Sequence, residues 1–251
     1  MRTIQTRIQE LGIESVFTLP DVLDSQPPAL TKVFRSLDLQ PHQRTNMRCA
    51  VLGLQLAMPE IRPELQVDSL IPELSKVEWP GRLQNIVLEP LVSRRKPILL
   101  DGAHNPQSAE VLRQYVDDKL RPSNNSVTWV ISASRGKDLG GLFGKLIRPG
   151  DNVATTSFGP VDGMPWVTAT DAMELATSVR SIPGIGQVKE FEGNLHAAIN
   201  WGSDVARNGP LVVAGSLYLV SDVFRLLRET GERDNEREEE VAKSTASNEG
   251  D

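Results

Sequence analysis

The chain has 251 residues, 39% of them apolar and 24% charged, the make-up of a folded protein with a real core. Its net charge of −6 lies wholly in the last residues: from Glu229 to Asp251 nine acids face three bases, and the remainder holds 24 of each. A neutral body without a basic stripe argues against nucleic acid as a partner, no apolar run reaches the about 18–20 residues that span a bilayer, and a single cysteine excludes an intramolecular disulfide.

In chain order, Ile4, Ile8 and Leu11 recur at helical spacing, with Gly12 as the stop. This segment lacks the apolar stretch of a signal peptide, and Glu10 counts against a transit peptide despite Arg2 and Arg7. The expected location is cytoplasmic, with mitochondrial as the alternative. A polar stretch from Asp21 to Pro28 precedes a helix over His42–Met58. Its Met47, Ala50, Val51, Leu54 and Met58 share one face, and Pro59 ends it. Cys49 in this helix reads as a buried thiol. A proline-rich connector from Pro59 to Pro72 marks a boundary.

Beyond Lys76 short β-rich runs alternate with helical patterns, the signature of a largely parallel sheet with crossover helices. The strands expected are Ile98–Leu100, Val127–Ser132, Asn152–Thr156, Val188–Phe191 and Leu211–Ala214, with Gln84–Leu88 as an edge strand. The helices expected are Gln107–Leu120, Leu139–Ile147, Thr168–Ser181, Leu195–Arg207 and Tyr218–Arg228. Thr230–Asp251 is charged and nearly devoid of large apolar groups, so a disordered acidic tail is expected there.

Three segments concentrate chemistry. In Pro97-Ile-Leu-Leu-Asp-Gly-Ala-His-Asn-Pro106 a strand ends and Asp101, Gly102, His104 and Asn105 crowd the turn before a helix. Ligands of open α/β sheets bind at the carboxyl ends of strands. Gly102 there would let a ligand approach the backbone, and the helix N-terminus would offer N–H groups to an anion. Asp101 can accept two ribose hydroxyls and His104 can donate to a carboxylate or phosphate. Asn105 also suits a helix cap, with Pro106 at the first position. In Glu78-Trp-Pro-Gly-Arg-Leu-Gln84 a Pro-Gly turn places Arg82 at a strand start, where its fork suits phosphate or carboxylate. In Val212-Val-Ala-Gly-Ser-Leu-Tyr218, Ser216 is a helix cap or a ligand donor.

Taken together, Trp79–Arg82, Leu100–Asn105 and Gly215–Tyr218 resemble the W-P-G-R, L-D-G-A-H-N and G-S-L-Y signatures of the folylpolyglutamate synthase and dihydrofolate synthase family, in order. His42-Gln-Arg-Thr-Asn46 is similar to its H-Q-x-x-N helix, and Gly136-Lys-Asp138 and Gly163-Met-Pro-Trp166 are further matches. The resemblance spans roughly residues 35–228. It implies an α/β fold of the Mur-ligase C-terminal type: a Rossmann-like, mostly parallel sheet flanked by helices over 75–229. Residues 1–74 would be a remnant of the central ATPase domain with its linker, and 230–251 the tail. It implies an ATP-dependent ligase that joins L-glutamate to dihydropteroate, with nucleotide and glutamate lying between two domains. The sequence context after Trp79–Leu83 and after His104 favours dihydrofolate synthase over folylpolyglutamate synthase. It further implies that Asn46 lies on the adenine side, Arg82 at phosphate, Asp101 at ribose, and His104 and Ser216 with the incoming glutamate. A monomer is expected.

The chain departs from that family in one large respect. No phosphate-binding Gly-rich loop is visible. Gly140-Gly-Leu-Phe-Gly-Lys-Leu146 is one residue short, ends in Leu where a magnesium-binding hydroxyl belongs, and reads as a core helix. Magnesium ligands are therefore expected outside this sequence, and no metal site is expected within it, since His42, His104 and His196 lack ligand spacing. The rival reading is a non-catalytic nucleotide-binding remnant of such a ligase.

Overall fold

A computed structural model describes residues 2–13, 16, 27–37, 39–77, 79–89, 91–121 and 126–231. Most of the Asp21–Pro28 stretch and all of 232–251 lie outside the described residues. The chain divides into two compact units, Met1–Glu78 and Trp79–Asp251.

The first unit is helical. It comprises α1 (Arg2–Glu10), α2 (Pro28–Ser36), α3 (Pro41–Ile61), α4 (Val67–Leu70) and a 3-10 turn, Ile71–Lys76. Pro27 and Pro28 start α2, and Leu30, Val33, Phe34, Val51 and Ile71 make a small core. Helices α2 and α4 and the 3-10 turn were not expected from the sequence. Helix α3 runs two residues past Pro59, because a proline near the last turn removes one hydrogen bond without stopping the chain. The single apolar face expected of α3 is not buried as such: among its residues only Val51 is buried, and Leu54 is exposed. Cys49 is exposed, not buried. Two residues from Val51 on a helix, it points about 200° away from that small core.

The second unit is a six-stranded sheet in the order β1-β2-β6-β3-β4-β5. The strands are β1 (Gln84–Ile86), β2 (Ile98–Leu100), β3 (Thr128–Ile131), β4 (Asn152–Thr155), β5 (Val188–Glu190) and β6 (Leu211–Ala214). Edge strand β1 pairs antiparallel with β2, and every other pairing is parallel. Side chains alternate across the sheet. Leu99, Trp129, Ile131, Val153 and Val212 enter one core, beside α5 (Pro106–Lys119), α6 (Leu139–Leu146) and α7 (Ala172–Arg180). Ile98, Leu100, Val130, Val213 and Leu211 enter the other, beside α8 (Leu195–Ala206) and a last helix, α9, over 217–231. Because both faces are covered, the central strands are apolar throughout, as parallel strands must be.

The expected alternation of strands and helices is found, and most boundaries agree within one or two residues. Helix α6 buries Leu142, Phe143 and Leu146, so the Gly140–Leu146 segment is core helix and not a phosphate loop. One helix begins four residues later than expected: α7 starts at Ala172 under an Asp171 cap. Thr168–Thr170 is instead extended and bonded to the end of β3, with Arg135 N donating to Thr168 O at 2.9 Å and Thr170 N to Ala133 O at 2.8 Å. Helix α9 covers Thr230, whose hydroxyl donates to Leu226 O at 2.8 Å.

Candidate active site

The chain steps in one direction from β2 through β3 and β4 to β5, then turns back to lay β6 between β2 and β3. The loops that leave the carboxyl ends of β2, β6 and β3 gather at that point. The loop after β2 carries Asp101–Asn105. Asp101 is nearly buried, and both its oxygens serve backbone: Oδ1 accepts from Ala103 N and Oδ2 from Leu83 N, each at 2.8 Å. Leu83 sits at φ +48°, a left-handed conformation that costs a side-chain-bearing residue about 1–3 kcal/mol. Asp101 therefore ties down the strained end of the Trp79–Arg82 turn. Gly102 N donates to Gly81 O at 2.8 Å and completes the clasp. Arg82 stands on this loop, exposed, with no ion-pair partner among the described residues.

Two sequence expectations are corrected here. The space beside Gly102 is not open to a ligand, because a Cβ there would meet Leu217 Cδ2 at 2.1 Å and Arg82 Nη1 at 3.5 Å. Glycine is required by side-chain packing. Nor is the start of α5 an open anion site. Asn105 Oδ1 accepts from Ser108 N at 2.8 Å, while Ser108 Oγ accepts from the amides of His104 and Asn105 at 3.1 and 3.2 Å. Reciprocal capping uses these donors.

His104 Nδ1 lies 3.0 Å from Gly102 O. A carbonyl only accepts, so Nδ1 carries the hydrogen, and in that tautomer Nε2 presents a lone pair. Ser216 is buried after Gly215, and its Oγ accepts from Tyr218 N at 3.1 Å as the cap of α9. That leaves the hydroxyl hydrogen available for donation.

His104 and Ser216 line one cavity of about 540 Å³ together with Ser134, Arg135, Lys137 and Thr168. The rest of its lining is largely apolar: Trp166, Val167, Leu217 and Tyr218. Arg135 and Lys137 are exposed and have no ion-pair partner among the described residues. The cavity is thus a cationic recess with one imidazole and one buried hydroxyl, suited to a carboxylate-bearing ligand. Asp101 and Arg82 lie at the same sheet edge, on the clasp beside the cavity rather than in its lining. Asn46 belongs to the first unit, exposed on α3. Among the described residues no group of three His, Cys, Asp or Glu could hold a metal ion.

The sequence pattern of the family described as dihydrofolate synthetase, C-terminal domain, matches residues 84–226, which contain all six strands of the sheet and the whole cavity. The chain belongs to this family. The dihydrofolate synthetase of Saccharomyces cerevisiae is 34% identical over 191 residues, covering 74% of this chain and 44% of that protein. A probable dihydrofolate synthetase of Schizosaccharomyces pombe is 29% identical over 187 residues, covering 74% and 43%. A probable folylpolyglutamate synthase of S. cerevisiae is 26% identical over 240 residues, covering 89% and 53%. The chain thus spans about half the length of these relatives, or less. The structure of Mycobacterium tuberculosis folylpolyglutamate synthase complexed with ADP shares the fold, with a TM-score of 0.54 at 24% identity over 74% of this chain and 40% of that one.

Arg135 carried no signal of its own in the sequence. Lys137 and Trp166 fell inside family-like motifs without an assigned role. What brings Arg135 to the cavity is the pairing of residues 133–135 with 168–170, a contact across more than thirty positions that no local pattern announces.

Proposed function

We propose that this chain is the C-terminal, amino-acid-binding half of an ATP-dependent amide ligase that joins L-glutamate to dihydropteroate. The observation that carries the reading is the convergence of His104, Arg135, Lys137 and Ser216 on one recess, in a chain whose residues 84–226 match the dihydrofolate synthetase C-terminal domain. Arg135 and Lys137 hold the glutamate carboxylates by charge-assisted hydrogen bonds. His104 Nε2, kept as an acceptor by the Gly102 carbonyl, takes the proton that the amine must lose before it attacks. Ser216 donates its hydroxyl hydrogen to the same substrate. Arg82, free of ion pairs and braced by the Asp101 clasp, meets phosphate. Asp101 serves the ribose, and Asn46 serves the adenine.

ATP supplies the phosphoryl group that activates the acceptor carboxyl, and Arg82 fits its phosphates. Magnesium is different. Its ligands are assigned to the portion of the relatives that this chain does not cover. Dihydropteroate is favoured over tetrahydrofolate because the two dihydrofolate synthetases quoted are 29% and 34% identical, against 26% for the folylpolyglutamate synthase. The same reading takes the molecule as a monomer in the cytoplasm or mitochondrion.

The test is a chimera in which residues 79–231 replace the matched segment of the S. cerevisiae dihydrofolate synthetase. Dihydropteroate-dependent phosphate release is expected, falling by about 10²-fold or more in His104→Ala. Release that survives His104→Ala and Lys137→Ala undiminished sinks the assignment. The 251-residue chain by itself is expected to give no turnover near the enzyme-typical ~1–10³ s⁻¹.

A further inference from the structure

The cavity is larger than its cationic wall needs. About 540 Å³ lies in the range of about 300–1,000 Å³ that holds drug-sized ligands, more than one amino acid fills. The same cavity that His104, Arg135 and Lys137 line is also lined by apolar groups, and the most exposed of these is Trp166, with 75% of its surface exposed. A lone exposed apolar side chain calls for no explanation. This one is held in place on both sides. Met164 N donates to Val161 O and Val167 N to Met164 O, each at 3.0 Å, so the indole sits between two closed turns. Upstream, Tyr218 Oη reaches Met164 Sδ at 3.9 Å, and the Tyr218 ring lies 5.1 Å from that of Phe158. Downstream, Thr168 is bonded to Arg135. The indole is therefore presented by a braced loop in the lining of a recess that also holds cations. That combination fits a ligand that carries an anionic group and a flat apolar ring together. Glutamate has no ring to place there.

We infer that Trp166 is the platform on which the aromatic ring of an aryl-carboxylate acceptor lies while its carboxyl end meets the glutamate, making Trp166 a specificity-determining residue. The inference rests on the amide-ligase reading of the cavity. Stacking on one indole distinguishes an aryl acceptor from an aliphatic one by about tenfold in affinity.

The test is calorimetric titration of the 251-residue chain with two probes, 4-aminobenzoyl-L-glutamate and L-glutamate. Trp166→Ala is expected to weaken the aryl probe about tenfold and leave L-glutamate unchanged. Trp166→Phe keeps most of the affinity, and thermal melting is unchanged in both variants. Equal loss for the two probes, no loss for either, an equal loss in Trp166→Phe, or no binding of the aryl probe at millimolar concentration overturns the platform. Lys137→Ala separates this from the parent reading. If it weakens L-glutamate while Trp166→Ala changes nothing, the cavity stands and the platform falls. If neither Lys137→Ala nor Arg135→Ala weakens either probe, the amino-acid site itself falls.

Discussion

Single residues at the carboxyl edge include those that hold the backbone and those that face the recess. Gly215 is of the first kind. At φ +104°, it passes so close to β3 that a Cβ would meet Ser132 O at 2.0 Å. Both the left-handed backbone and the collision with a carbonyl oppose any side chain there. Gly215→Ala is expected to cost roughly 3 kcal/mol or more, read as a fall in the midpoint of denaturant unfolding. A stability within about 0.5 kcal/mol of the parent, the usual scatter of surface changes, would refute the tight approach. Arg82 is of neither kind, since it stands on the clasp beside the recess. Its guanidinium is exposed and unpaired among the described residues, so Arg82→Ala should leave folding intact and weaken nucleotide binding by about tenfold or more. Unchanged ADP affinity in a titration would remove Arg82 from the phosphate site. Asp101, Asn105 and Ser216 were read as ligand groups or caps, and each has a backbone duty visible in its hydrogen bonds. The sequence shows only the residue type, and a carboxylate that braces a turn looks the same there as one that binds ribose.

At the scale of elements, the opposite end of the sheet is held by one buried carboxylate. Asp151, with no exposed surface, accepts from Arg121 Nη1 and Nη2 at 2.6 and 2.7 Å, from Val127 N and Trp129 Nε1 at 2.9 Å, and from Arg148 N at 3.0 Å. It joins the end of α5, the entry to β3 and the turn before β4. Burial disfavours the charge on Arg121, but the hydrogen bonds and charge of Asp151 outweigh it and hold the guanidinium pKa above its ordinary value. Arg94, which meets only the carbonyls of Arg207 and Gly209, is lowered by burial instead. Asp151→Asn removes the nearer of the two carboxylates paired with the buried Arg121, leaving Asp117 at 3.3 Å, and a loss of about 3 kcal/mol is expected, measured by denaturant unfolding of the chain. A loss below about 1 kcal/mol would mean that the network is dispensable. The contacts of Arg121 and Trp129 with Asp151 are 30 and 22 positions apart in sequence, so none of this was legible before the fold. The same holds for Thr168–Thr170, whose helix-like composition yielded to pairing with the end of β3.

At the scale of the molecule, the second unit contains both large cores and the whole recess, while the first has only the small core around Leu30, Phe34 and Val51. A fragment of residues 79–231 is therefore expected to fold by itself, with a single cooperative thermal transition followed by circular dichroism. A broad, non-cooperative melt would show that it depends on the first unit. By itself the sequence determined the parallel sheet, the positions of its strands and the starts of most helices. These follow from apolar runs of period two or 3.6 and from caps such as Asn105, Asp138 and Asn194, which act within a few residues of their own position. Only the tertiary structure decided that Cys49 and Leu54 lie exposed, that Leu217 fills the space beside Gly102, and that Arg135, Lys137 and Trp166 share a recess with His104. Those outcomes depend on which distant segments meet, and the free energy of a contact between segments far apart in the chain is not encoded in the local pattern of either one.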